Sequence, residues 1–221
     1  MKLLDFIKSN LFIQNFAANI VSQISPYLEN TISKYLAIKK AFYITAHDNT
    51  KGNYLEFGVF TGSSFNYAIK TNKKIEKIFG KSDCEYIGFD SFKGFGKVLE
   101  SDIHPSFKDE IFSVNEAKVI KNIKRIAKGE KMQLVKGFYQ DTIKNKTTFD
   151  LNIKNKTRII MIDCDLKEST KLALEFVLPS LQRGTIIIFD DFLDYKGNID
   201  KGECGAFEDF KKKNKNILFR R

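Results

Sequence analysis

The chain has 221 residues, 43% of them hydrophobic, which is enough apolar material for one sizeable core, and the length suits one large domain better than two. Its net charge of +10 admits an anionic partner. However, the lysines are scattered except in "KKKNKNILFRR", and the absence of a basic-aromatic run such as RNP1 argues against a nucleic-acid module. Cys84, Cys164 and Cys204 are odd in number and too widely spaced for a disulfide framework, a zinc ribbon or a CxxC pair, which points to a reducing, cytoplasmic setting.

Residues 1 to 48 place apolar side chains at helical spacing (Leu4, Ile7, Leu11, Phe12, Phe16, then Ile20, Val21, Ile24), with Pro26 breaking the run and a second helix over about 28–46. Asp5 and Lys8 interrupt what would be the apolar segment of a secretion signal. No run reaches the roughly 18 apolar residues of a membrane span, so a soluble protein is expected. From Asn53 strands alternate with helices: strand "YLEFGV", a helix over about 63–70, strand "CEYIGFD", a helix over about 115–128, strand "MQLVKG", a polar stretch, strand "RIIMIDC", a helix over about 167–181, strand "TIIIFDD" and a helix over about 204–213. Such alternation predicts a parallel α/β sheet, and near-continuous apolar strands such as "IIMI" predict central strands covered on both faces. The "NILF" near the end leaves room for one last strand.

The chemistry gathers where strands end. In "EFGVFTGSS", Gly58 and Gly62 permit a tight turn, and Thr61, Ser63 and Ser64 are the residue types that cap a helix and leave its amides free for a ligand. The spacing departs from GxGxxG, and no GxxxxGK[ST] occurs. The second strand ends in "GFDSFKGF", where Asp90 would accept two hydrogen bonds from a ribose diol, so turn and acid together indicate a nucleoside-bearing cofactor. Two apolar strands then end in acids: "RIIMIDCD" in Asp163 and Asp165, "TIIIFDDF" in Asp190 and Asp191. Carboxylates at the ends of buried strands are costly to desolvate unless something positive meets them. Asp165 either caps the following helix or orients a ligand. "IDCD" also fits the DxD of a metal-dependent glycosyltransferase using a nucleotide sugar, an alternative that does not need the glycine turn.

Together "YLEFGVFTGSSFNYA", "FDSFKGF", "KGFYQDTI", "IDCDLKESTKLALEFVLPSLQRGTIIIFDDF" and "GECGAFEDF" resemble the macrocin O-methyltransferase (TylF) family of class I S-adenosylmethionine-dependent methyltransferases, over about Tyr54 to Phe210. The resemblance implies a Rossmann-like class I fold, a mostly parallel sheet with helices on both faces, as a methyltransferase domain over 51–221 behind an N-terminal helical extension over 1–50. It implies S-adenosylmethionine and magnesium, or another divalent cation, acting on a hydroxyl of a sugar, glycan or sugar nucleotide. Glu56, Gly58, Phe60, Thr61, Ser63, Ser64, Asp90 and Ser91 become cofactor contacts, with Phe138 and Asp141 near the adenine or sulfonium end. Asp163, Asp190 and Asp191 become metal ligands, with Asp163 the base. Lys167 and Phe192 stand where the family often has Tyr, which points to an acceptor other than a macrolide sugar. A homodimer is one assembly open to such a chain. His47 and His104 fall in polar loops, the 93–113 insertion is long enough to serve as a lid, and Cys164 reads as a buried filler.

Overall fold

The computed structural model describes residues 10–96, 98–105, 107 and 112–220, and it divides into two compact units, Met1–Leu36 and Ala37–Arg221. The first unit holds helix α1 (Leu11–Ser22) and the N-terminal part of helix α2 (Pro26–His47). Asn10 caps α1 by accepting from the N–H groups of Phe12 and Ile13 at 3.1 and 3.2 Å. Pro26 opens α2, where its missing N–H has no helical partner to lose. The helical pattern read over residues 1–9 lies outside the described residues.

The second unit is built on a parallel sheet of five strands in the order β3-β2-β1-β4-β5. These are β1 (Asn53–Phe57), β2 (Glu85–Asp90), β3 (Lys131–Lys136), β4 (Thr157–Ile162) and β5 (Ile186–Phe189). Helices α3 (Ser63–Phe79) and α4 (Glu116–Ile126) follow β1 and β2, and a short α5 (Tyr139–Thr142) follows β3. Helices α6 (Lys167–Val177) and α7 (Gly202–Lys213) follow β4 and β5. Successive strand residues enter opposite cores, as a two-residue pleat requires. Tyr54, Tyr86, Ile159 and Met161 pack with Ile38, Phe42, Phe65 and Ile69, whereas Leu55, Phe57, Ile87, Phe89, Ile160 and Ile162 pack with Phe176. Both faces of the central strands are therefore covered, and the expected α/β architecture is met. No helix among the described residues is long and apolar enough to cross a membrane.

Two elements differ from the sequence expectation. Helix α3 continues past Lys70 to Phe79, because Ala68, Ile69, Asn72 and Ile75 keep one buried stripe through a lysine-rich surface, and Gly80, at φ 92°, ends it. The strand expected at "NILF" does not form: that segment is irregular, and Phe219 packs its ring 5.2 Å from Phe207 and 6.0 Å from Phe210, leaving β5 as the sheet edge.

Candidate functional site

All strands run parallel and their order reverses between β1 and β4, and in open parallel sheets ligands bind at the carboxyl ends of the strands flanking such a reversal. The backbone ladder extends one residue past each strand. The N–H of Gly58 donates to the Phe89 carbonyl at 3.0 Å, that of Asp163 to Phe57 at 2.8 Å, and that of Asp190 to Ile162 at 3.0 Å. Gly58, at φ 95°, is required here: a Cβ would stand 1.7 Å from the carbonyl oxygen of Asp163.

The turn after β1 is organised differently from expectation. The cap of α3 is Gly62, at φ 77°, with no side-chain bond, so the capping role expected of Thr61, Ser63 and Ser64 is corrected. Thr61 and Ser63 are exposed, whereas Ser64 is buried and donates its hydroxyl to Glu56 at 2.7 Å. Glu56, fully buried, also accepts the Tyr54 hydroxyl, so this acid fastens β1 to α3 from beneath the turn. Asp90 closes the turn from the other side. Its Oδ2 accepts the Phe60 N–H at 2.7 Å and its Oδ1 the Phe92 N–H at 2.6 Å, with both phenylalanines in the left-handed region at φ 48° and 57°. Burial pushes the Asp90 carboxyl above its ordinary range, against the pull of these N–H groups. The hydroxyl of Ser91 serves its own turn, accepting from the Lys93 N–H at 3.0 Å and donating to the Gly94 carbonyl at 2.8 Å. Phe138 caps α5 and lies against Gly96, and Asp141 is exposed.

The acids after β4 and β5 converge. One carboxylate oxygen from each of Asp163, Asp190 and Asp191 lies within 4.8 Å of the other two. Three half-buried hard oxygen donors at this spacing fit a small divalent cation. Asp165 does not cap the next helix: it sits at φ 60°, Leu166 takes the cap position without a side-chain bond, and the Asp165 side chain hydrogen-bonds Asp191. Burial holds its carboxyl well above the usual range, and Asp191 and Asp163 push it further. The cap of α6 comes instead from the 93–113 insertion, where the buried Asp102 accepts the Lys167 N–H at 3.2 Å. The Asp102 carbonyl in turn accepts the Tyr195 hydroxyl at 2.7 Å. The rings of Phe107 and Tyr195 lie 4.7 and 4.9 Å from that of His104, so this part of the insertion is docked against Tyr195.

Three contributors escaped the sequence reading: Asp102, Tyr195 and Glu203. Glu203, inside the quoted "GECGAFEDF", is buried and accepts the Asp191 N–H at 3.1 Å; burial first, then Asp191 and Asp163, raise its carboxyl well above the ordinary value. Lys167 turns away from the acids to Asp209 at 2.8 Å, and Phe192 packs 5.3 Å from Phe189. His47 ends α2 beside Asp48 at 3.2 Å. Cys164 is buried, 3.5 Å from the Thr170 hydroxyl, with burial holding its thiol well above the ordinary value, as befits a filler.

The family described as Macrocin-O-methyltransferase (TylF) matches residues 34–217. The chain is similar to the solved structure of CalS11, a calicheamicin methyltransferase, with 18% identity and a TM-score of 0.67 over 100% of this chain and 85% of that one. It is also similar to the apo structure of CalS11 as TDP-rhamnose 3'-O-methyltransferase, with 17% identity and a TM-score of 0.56 over 100% of this chain and 86% of that one. At these identities the structures establish the shared fold. No curated protein matches the chain in sequence.

Proposed function

The chain belongs to the macrocin O-methyltransferase (TylF) family, and from that premise we propose that it methylates a hydroxyl of a sugar, glycan or sugar nucleotide, with a divalent cation held by Asp163, Asp190 and Asp191. As a member of that family it is an S-adenosylmethionine-dependent O-methyltransferase. Membership also sets aside the glycosyltransferase reading of "IDCD". The observation that carries the proposal is the meeting of three carboxylates at the switch point, with Asp163 pressed against the glycine turn.

An alkyl hydroxyl has a pKa of about 15.7, so ionising it fully at neutral pH costs roughly 12 kcal/mol. A divalent cation on the three acids would polarise the acceptor oxygen and lower that cost. Asp163 would take the hydroxyl proton, and bound S-adenosylmethionine would supply the methyl group to the oxygen, its sulfur keeping the electron pair of the broken bond. Asp90 would hold the ribose hydroxyls, Gly58 and the turn through Ser63 would admit the methionine portion, and Phe138 and Asp141 would lie near the adenine or sulfonium end. Glu56 and Ser64 hold that turn in shape from below. The +10 surface charge favours an anionic acceptor such as a nucleotide sugar, the class that CalS11, a TDP-rhamnose 3'-O-methyltransferase, acts on.

The test offers labelled S-adenosylmethionine with a panel of nucleotide sugars and glycans, in magnesium and in EDTA. Label in a sugar O-methyl group that disappears in EDTA is the expected result. Undiminished transfer in EDTA would remove the metal from the proposal, and transfer confined to non-sugar hydroxyls would remove the acceptor class.

A further inference from the structure

Glu203 stands in the first turn of α7 with 1% of its surface exposed. Its Oε2 accepts the Asp191 N–H at 3.1 Å, and its Oε1 has no hydrogen-bond partner. The start of α7 is packed tightly against Tyr195 and Asp200. A Cβ on Gly202, itself at φ 55°, would stand 2.7 Å from the Tyr195 ring, and one on Gly205 would stand 2.6 Å from the Asp200 main chain.

A carboxylate buried to this degree costs several kcal/mol unless it is compensated. The acids around it, Asp191, Asp163 and Asp190, add to that cost. Among the described residues no Lys or Arg bonds to it, and the N-terminal end of α7 offers only partial positive charge. An acid retained in such a place, bonded to the main chain of one metal-ligand candidate, makes sense where a cation is to be held.

We propose that Glu203 is a positioning residue of the metal centre: its Oε2 fixes the Asp191 main chain, so that the Asp191 carboxylate meets those of Asp163 and Asp190. The inference rests on the metal reading above. A merely structural glutamate would behave differently on substitution, because its loss would lower stability and leave metal affinity alone.

Glu203→Met, which keeps the length of the side chain but offers no acceptor to the Asp191 N–H, is compared with Glu203→Gln, which keeps an oxygen acceptor. Manganese is titrated into the full chain by calorimetry, S-adenosylmethionine is titrated separately, and the metal-free melting temperature is recorded. The expected result is manganese binding weakened about 10- to 100-fold in Glu203→Met and largely restored in Glu203→Gln, with S-adenosylmethionine affinity unchanged in both. In turnover the magnesium concentration for half-maximal rate should rise more than kcat falls in Glu203→Met. Wild-type protein that binds no manganese would overturn both the metal reading and this inference. Wild type that binds manganese, with Glu203→Met binding it as tightly or Glu203→Gln binding it as weakly as Glu203→Met, would overturn the inference alone. So would a loss of manganese affinity in Glu203→Met matched by loss of cofactor affinity or by a metal-free melting temperature several degrees lower, which marks general loosening. If Glu203→Met does not fold, Glu203→Asp, whose shorter side chain withdraws the acceptor, decides: weaker manganese binding with intact cofactor binding supports the inference, and wild-type manganese binding overturns it.

Discussion

A Cβ atom on Gly58 would stand 1.7 Å from the carbonyl oxygen of Asp163, so the turn after β1 and the candidate base after β4 share one wall. Gly58→Ala should therefore strike both halves of the site at once. The left-handed φ of 95° alone should cost about 1–3 kcal/mol of stability. Displacing Asp163 should lower methyl transfer further, on the order of a hundredfold. A urea melt and a transfer assay on the same preparation check this, and wild-type values in both would contradict the close approach.

Asp90 joins two strand ends through the N–H groups of Phe60 and Phe92 and is also the proposed ribose acceptor. Asp90→Ala should weaken S-adenosylmethionine binding about 10- to 100-fold, the loss expected for one or two charge-assisted hydrogen bonds. Asp90→Asn keeps an oxygen for one of the two N–H groups, so it should retain more of the turn and bind between the two. Calorimetry that finds unchanged affinity in a folded Asp90→Ala variant would remove Asp90 from the cofactor site.

The metal and cofactor sites should separate on substitution. Asp190→Asn or Asp191→Asn leaves the main-chain bonds to Ile162 and Glu203 in place, so the fold should persist while methyl transfer is abolished and S-adenosylmethionine binding stays nearly intact. Excess magnesium should partly restore both variants. It should not restore Asp163→Asn, which removes a ligand and the base together. Full transfer by the Asp163→Asn/Asp190→Asn double variant would show that these acids serve something other than catalysis.

Asp102 yields a pH-dependent prediction. Burial, the largest influence, holds its carboxyl above the ordinary value, and the Lys167 and Glu168 N–H groups oppose this only in part. In the window between the ordinary value near 3.9 and the raised one, the folded state binds more protons than the unfolded state, so stability falls as pH rises through it. The charge therefore costs stability at neutral pH. Asp102→Asn, which keeps the oxygen facing the Lys167 N–H, should melt higher than the wild type at pH 7. The margin should shrink as pH is lowered toward 4. Scans at both pH values test it, and a variant that melts lower at pH 7 would show the cap to outweigh the burial.

The elements legible in the sequence are those whose signal is local. Short, unbroken runs of mostly β-branched apolar residues mark "IIMI" and "TIII" as strands, and the acids that follow them stand out because charge at the end of an apolar run has few structural uses. The local signal for helix α3 ends early because its surface is lysine-rich and its buried stripe rests on Asn72 and Ile75. The hydroxyl residues of the turn have the type that favours capping, whereas Gly62 takes that position and the hydroxyl of Ser64 goes down to Glu56.

The alternation of strands and helices, the glycine turn and each acid at a strand end were legible in the sequence alone, since each depends on residues within a few positions of one another, whereas the meeting of Asp163 with Asp190 and Asp191 came from the sheet. Only the tertiary structure decided what lies between them. Residue 102 caps a helix that begins at residue 167, Asp165 bonds to Asp191 instead of capping, and Glu203 stands behind Asp191 from a helix 12 positions on. These pairings depend on which chain segments the sheet order brings side by side, and neither periodicity nor residue type encodes that proximity.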